Sequence, residues 1–413
     1  MDLRKVVKGN LCIGCGICTI DDKVGKLKVI NRQNNSQVPA NTTKDQDSLA
    51  IKVCPGKGYN IVSEGRTLYG TGKYNINLGF YYNLHAAHTP SKEILHNASS
   101  GGAITAILIY LLRQHIVDKV SVTQFYCDKD GVHTKSFLTN DRAEILKAQG
   151  SKYCPVDLSN LLKELHEYKG KVAIMATPCA IAGIRNIQRE CPDYIKANIV
   201  FTIANFCGGF KSWRNIKRLA EIHQVDYYNL RDFRFRGGGQ PGSLRFIDND
   251  GKEASTPYPN YVGLNGYSKM HRCFVCPDAS GELTDISCGD AWIPRFEKDD
   301  NPWSMIICRT EEASKLVEKM GDDGIMVLEQ VSEEEVILSQ RYNLASKKTR
   351  QKARMALYHK IGLAVPSFDG GYCDEMTSMK TECQVTFKHL LTWVTEKCGL
   401  YMRLYGHRKL KKK

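Results

Sequence analysis

Residues 272–292 read RCFVCPDASGELTDISCGDAW, with Cys273 and Cys276 in a Cys-x-x-Cys pair and Cys288 following. Asp278, Glu282, Asp285 and Asp290 are interleaved with them. Two thiolates at this spacing can chelate one metal centre from a single turn, and soft thiolates select zinc or iron–sulfur clusters. A zinc knuckle is the plain reading of the pair alone. Working outward, two isolated cysteines have unusual neighbours: Cys179 in Ala-Thr-Pro-Cys and Cys207 in Asn-Phe-Cys-Gly-Gly. A site needing four ligands can draw two from the pair and one from each of these. Cys179 follows the apolar run Lys171–Ala176, and Cys207 follows Asn198–Ala204. Both runs read as buried strands, the first leading into a helix over Ile181–Arg189. Ligands in α/β sheets gather at the carboxyl ends of strands.

A second cysteine-rich stretch lies near the N-terminus. Residues 12–18 read CIGCGIC, and Cys54-Pro55 follows much later. Bacterial ferredoxins carry C-x-x-C-x-x-C-x-x-x-C-P, whose last cysteine serves the other cluster. Here Asp22 stands at that near fourth position, while the distant Cys-Pro is present. The segment resembles a ferredoxin domain that kept one 4Fe-4S cluster, on Cys12, Cys15, Cys18 and Cys54. Gly14 and Gly16 let the backbone wrap closely and donate N–H groups to sulfur. Three thiolates within seven residues make a poor tetrahedral zinc knuckle. Residues 31–47 are polar and read as a loop, and residues 70–82 as a connector.

Between these stretches, Ser99-Ser100-Gly101-Gly102 opens a run, residues 103–118, with Ile104, Ile107, Leu108, Leu111 and Leu112 on one face. Ser99 or Ser100 is expected to cap that helix. Its free N–H groups suit a phosphate or the polar edge of a flavin, and simple capping explains the same residues. VSVTQFYC and HTKSFL read as strands, and Lys152 sits in the turn 150–155. Gly237, Gly239 and Gly242 match G-x-G-x-x-G, but Pro241 and the alternating SLRFIDNDGKE make this a loop and hairpin, with Arg234 and Arg236 available to an anion. WSMIICRT reads as a strand and residues 314–320 as a helix. From Ser332 the chain reads as helical and basic, amphipathic over residues 383–404. The other cysteines, 127, 154, 191, 308, 373, 383 and 398, read as structural or incidental.

A chain of 413 residues holds two or three domains. The longest apolar run, Ala103–Leu112, is too short to span a bilayer. The first residues carry no apolar signal core, so sixteen cysteines point to metal ligation in a reducing cytoplasm, and the cytoplasm is the expected location. The net charge of +14 suits an acidic partner or a phosphorylated cofactor, with part of it in the basic end 408–413. Nucleic acid is not expected, since aromatic residues are not interleaved with basic ones on a sheet. There is no P-loop and no nucleophile–His–Asp signature.

In order, CIGCGIC, Cys54-Pro55, SSGGAITAILIYLL, GSKYCP, ATPCAIAGIRN, NFCGG, FRFRGGG and RCFVCPDASGELTDISCGDAW resemble the coenzyme F420 hydrogenase/dehydrogenase beta-subunit family, in its branch with an N-terminal ferredoxin domain. That branch is similar to plant 7-hydroxymethyl chlorophyll a reductase. The resemblance covers residues from about 10 to 320. It implies an iron–sulfur flavoprotein oxidoreductase. FAD would lie against Ser99, Ser100, Gly101, Gly102 and Lys152, and a second 4Fe-4S cluster on Cys179, Cys207, Cys273 and Cys276. Cys288 is a spare thiol that could replace one of those four, and no catalytic residue is assigned. Electrons would pass from a ferredoxin-like or other redox protein through two clusters and FAD to a small-molecule hydride acceptor. A non-catalytic electron-transfer subunit is the alternative. The expected fold is α+β or α/β: a ferredoxin-type domain (1–70), the two parts of a larger α/β flavin and iron–sulfur domain (71–165 and 166–335), and a helical, basic C-terminal extension (336–413).

Overall fold

The computed structural model describes residues 1–30, 36–239, 241–262, 269–377 and 379–397. Its centre is an eight-stranded mixed sheet in the order β15-β5-β14-β13-β9-β8-β6-β7. These strands are β5 (Asn83–His88), β6 (Lys119–Asp128), β7 (Gly131–Thr139), β8 (Lys171–Ala176), β9 (Asn198–Asn205), β13 (Ile286–Asp290), β14 (Ser304–Cys308) and β15 (Val327–Gln330). The inner four, β13, β9, β8 and β6, run parallel, while the flanking strands pair antiparallel. The composition explains the layout. Parallel strands are covered on both faces and read as continuous apolar runs, as KVAIMA does.

One face carries the helices Ala103–Arg113 and Glu311–Asp322, packed through Ile107, Leu111, Val317 and Met320 onto Val120, Ile203 and Ile306. The other carries Ser159–Glu167 and Pro178–Glu190. Ile17, Ile20 and Val53 join that second core, so the N-terminal segment is seated on the main sheet. Asp22 is exposed and takes no part in this contact. Residues 31–47 are not all loop: Ser36–Pro39 (β2) pairs antiparallel with Leu27–Ile30 (β1). The connector 70–82 holds a small hairpin, β3 (Lys73–Asn75) with β4 (Gly79–Tyr81). Its reason is local: Gly79 has φ 76°, a left-handed conformation that glycine adopts without strain.

The loop Arg236–Gly242 does lead into a hairpin. A three-stranded sheet forms from β10 (Leu230–Arg234), β11 (Ser243–Asp248) and β12 (Glu253–Pro257), which bears out rejection of the dinucleotide fingerprint. Arg236 is not available to an anion. It is 2% exposed, bonds Asp290 at 3.1 Å and the Ser99 carbonyl, and lies over the Tyr258 ring. Arg234 bonds Asn97 at 2.9 Å.

The C-terminal region is helical over Glu333–Ser339, Gln351–Lys360 and Met379–Lys397, with a π-helical turn at Ala345–Thr349. Sequence alone makes it an appendage, but its first part is built into the molecule. Lys348 pairs in the interior with Glu282, Arg354 bonds Glu382 at 3.0 Å, and Ser367 N–H donates to the Lys57 carbonyl at 2.8 Å. Asp369 accepts from the N–H groups of Val62 and Ser63 at 3.0 and 2.7 Å. These contacts strap the N-terminal segment to the sheet domain. Cys398, Tyr401, Tyr405 and the basic end lie outside the described residues, as does the Trp393 side chain.

Candidate functional site

Cys12, Cys15 and Cys18 lie on the loop before and within the 3-10 turn Ile17–Ile20, and Cys54 ends the helix Leu49–Val53. Gly14 and Gly16 have φ of 68° and 77°, so the chain bends as the sequence requires. The structure brings the four thiols together. Burial pushes Cys12 up to about 12, with the Cys54 sulfur adding to it, and Cys15 and Cys18 are raised by burial and by the same neighbour. Backbone N–H groups of Gly56 and Lys57 face Cys54, and that of Gly14 faces Cys12.

A second set forms at the sheet's carboxyl ends. Cys179 opens the helix after β8, Cys207 follows β9, Cys273 sits in the short helix His271–Phe274, and Cys276 comes just after it. Burial raises Cys179, and Cys207, Cys276 and Cys273 add to the shift. Phe210 N–H donates to the Cys273 sulfur at 3.3 Å. Burial pushes Cys276 up as well, but Lys347 and Arg272 bring it below its ordinary value. Arg272 is buried and also donates to the carbonyls of Pro55 and Gly56, at 2.9 and 3.1 Å. One guanidinium therefore links the Cys54-Pro55 turn to the Cys-x-x-Cys pair. Ile13, Phe210, Met270 and Cys273 form an apolar cluster against which Cys15 and Cys179 pack, so it touches both sets.

Cys288 does not join either set. It lies in β13 opposite Asn205, with Cys308 near it on β14. Among the described residues no three His, Cys, Asp or Glu side chains converge closely enough to hold a single metal ion. Both sets nonetheless suit a multi-iron centre: each gathers four thiols, two buried and two partly exposed, and bare thiolates so close repel. A cationic core relieves that repulsion, and N–H groups already point at sulfur.

A cavity of about 470 Å³ lies between these elements. Cys15 and Cys207 reach its wall, as do Ser99, Ser100, Gly102 and Lys152. Two details differ from the sequence reading. The helix Ala103–Arg113 is capped by Gly102 in a left-handed conformation, with no side-chain cap. Ser99 and Ser100 instead meet Ser151 and Ser304, at 2.9 and 2.8 Å. Gly101 is closed off by protein: a Cβ there would stand 2.9 Å from Pro302 O and Ser304 N, and closer still to Ala87 O. Lys152 is turned onto the carbonyls of Ala148, Gln149 and Gly150, and burial brings it down to about 7. It holds the wall's shape more than it offers charge.

Sequence reasoning missed Lys211, Asn205, Tyr258, Asp290, Gln340 and Asn343 on the same wall. They come from four separate stretches, and although Asn205 and Asp290 stand beside quoted cysteines, no local pattern turns any of the six toward one cavity.

A mixed α/β domain with two four-thiol sets opening on one cavity is the build of an electron-transfer protein. The chain belongs to the coenzyme F420 hydrogenase/dehydrogenase beta-subunit family: its N-terminal model matches residues 84–163 and its C-terminal model residues 169–334. The chain is 26% identical over 293 residues to the coenzyme F420 hydrogenase subunit beta of Methanococcus voltae, covering 70% of this chain and 99% of that one. It is 25% identical over 329 residues to the coenzyme F420-dependent sulfite reductase of Methanocaldococcus jannaschii, covering 76% of this chain but 46% of that protein. A chain of the F420-reducing [NiFe] hydrogenase complex from Methanosarcina barkeri shares the fold, with a TM-score of 0.55 and 21% identity over 71% of this chain and 98% of that one. No helix among the described residues is long and apolar enough to cross a membrane.

Proposed function

We propose that this chain is an iron–sulfur flavoprotein oxidoreductase, taking electrons from a ferredoxin-like donor and delivering them as hydride to a small-molecule acceptor. Cys12, Cys15, Cys18 and Cys54 would hold one 4Fe-4S cluster, and Cys179, Cys207, Cys273 and Cys276 another. FAD would occupy the cavity beside the 99–102 loop. The observation that carries this reading is the shared wall: one cavity touches Cys15, Cys207 and the loop at the helix start. When bound, a flavin supplies the exchange between single electrons and a hydride. The chain's own residues pack Ile13, Phe210 and Met270 against both thiol sets and keep Arg272 between the Cys54 turn and Cys276.

Anaerobically purified protein tests this directly, because broad iron–sulfur absorption with flavin peaks is expected. A colourless protein rules the reading out. Cys54→Ala is expected to lose roughly half the iron, since one of two clusters loses a ligand. Unchanged iron and unchanged low-temperature EPR would place the cluster elsewhere. Thr105 lines the cavity from the first turn of the helix Ala103–Arg113. Thr105→Trp is expected to lower flavin affinity at least about tenfold, ~1.4 kcal/mol, with iron unchanged. Full flavin occupancy in that variant would move the flavin out of this cavity.

A second reading is a wiring subunit that catalyses nothing alone. What favours it is that several relatives are named as subunits. Donor-driven reduction of a soluble acceptor by the isolated chain separates the two.

A further inference from the structure

Lys347 is 1% exposed, in the π-helical turn Ala345–Thr349. That wide turn buries two successive lysines, and π-turns recur at functional sites. Their surroundings differ. Lys348 has a carboxylate partner in Glu282 and a second acceptor in the Gly371 carbonyl at 2.7 Å. Lys347 donates to the Asp278 carbonyl at 2.6 Å, its one hydrogen bond among the described residues. The Asp278 carboxylate is near but engaged elsewhere, accepting from Tyr59 at 3.2 Å and from the N–H groups of Gly281 and Glu282 at 2.8 and 3.2 Å. A buried ammonium is costly unless an anion faces it. The anions here are three sulfurs, with the Asp278 carboxylate adding a smaller effect. Burial pulls Lys347 down, but Cys276, Cys207 and Cys273 hold it above its ordinary value. In the same turn of chain, Asn343 donates to the Cys207 carbonyl at 3.3 Å. The approach is thus built from two residues, one toward Cys207 and one toward Cys276-Pro277-Asp278.

We infer that Lys347 is a positioning residue that fixes a positive charge beside the second thiol set and so raises the reduction potential of the cluster held there. The inference rests on the functional reading above. Its source is a segment beyond the matched family region, which ends at residue 334. Reduction adds one electron, supplied by the donor, and one unit of negative charge to a largely buried site. A fixed cation favours that reduced state. Arg272 also hydrogen-bonds Cys276, but it donates as well to the Pro55 and Gly56 carbonyls and acts on Cys54, so its charge is shared between the two sets. Lys347 belongs to the second set alone.

The test is an EPR-monitored redox titration of the whole protein, with the second set's signal taken as the one that survives in Cys54→Ala. Lys347→Met is expected to lower that midpoint enough to change the reduced-to-oxidised ratio at least about tenfold at fixed potential, ~59 mV for one electron. Lys347→Arg, which keeps the charge, is expected to stay near the native value, and the N-terminal signal is expected not to move in either. Lys347→Gln removes the charge yet keeps a donor for the Asp278 carbonyl, and serves if the Met variant does not fold. Both signals present in the native protein, with full iron and an unmoved midpoint in the neutral variants, overturns the role of Lys347 only. Absence of iron–sulfur signals from the native protein overturns the functional reading instead.

Discussion

Cys273→Ala is expected to stop flavin reduction by a low-potential donor while the N-terminal centre still accepts electrons. Cys273 lies 7% exposed in the apolar cluster of Ile13, Phe210 and Met270, which touches both thiol sets. Its sulfur accepts the Phe210 N–H at 3.3 Å, so the substitution removes a ligand and leaves a buried donor unpaired. The unpaired donor alone costs about 1–3 kcal/mol. Thiolate ligation also couples to folding, so melting must be followed in parallel. With folding intact, the expected result is loss of roughly half the iron and no donor-driven bleaching of the flavin during turnover. Rapid flavin reduction in a folded Cys273→Ala protein would mean that electrons bypass this set, leaving Cys273 and Cys276 to a structural metal. Cys288→Ala is the matched control: its thiol lines the cavity but stands apart from the four.

The cysteines were legible because their spacing is local. CIGCGIC names three partners within seven residues, and Cys54-Pro55 and the Cys-x-x-Cys pair announce themselves the same way. Cys179 and Cys207 needed one further step, that strand ends converge, and β8 and β9 do lie side by side with their ends together. The strands β6, β8, β9 and β14 were readable for a similar reason, since each is a short β-branched or apolar run whose pattern is local. What could not be read was contact across long stretches of sequence. Lys347 and Lys348 look like a solvated dibasic pair in a polar helix, yet both are buried, because their partners Asp278 and Glu282 arrive from 60 to 70 residues earlier. Arg236 looked free because Asp290 and Tyr258 are invisible from FRFRGGG. β2 was hidden in a polar stretch, where pairing with β1 rather than side-chain character decides the strand.

Glycine was the hardest residue to read, since the same dipeptide serves two purposes here. Ser-Ser-Gly-Gly suggests a helix start kept bare for a ligand, while Phe-Cys-Gly-Gly follows a candidate metal ligand. At Gly101 that reason fails: the space above the backbone is filled by protein, with Pro302 O and Ser304 N each 2.9 Å from where a Cβ would lie. Those atoms are backbone, of β14 and the residues before it, and cannot rotate away. Thr89 N–H also donates to the Gly101 carbonyl at 2.9 Å, so the peptide cannot shift outward without breaking that bond. Gly101→Ala is therefore expected to destabilise the fold by about 1–3 kcal/mol or more, the cost of overpacking a closed site. Gly101→Val is expected to be largely insoluble. Flavin and iron should fall together in these variants, because the packing of the loop on β5 and β14 inside the sheet is what gives way. At Gly208 the neighbourhood is open, with only Asn343 Oδ1 at 3.8 Å and the residue on the cavity wall. Gly208→Ala is expected to change stability by no more than about 0.5 kcal/mol. Denaturant unfolding of the two alanine variants against the native chain decides the matter. A Gly101→Ala protein as stable as the native one, but stripped of flavin, would restore the glycine to the cofactor and refute the packing account.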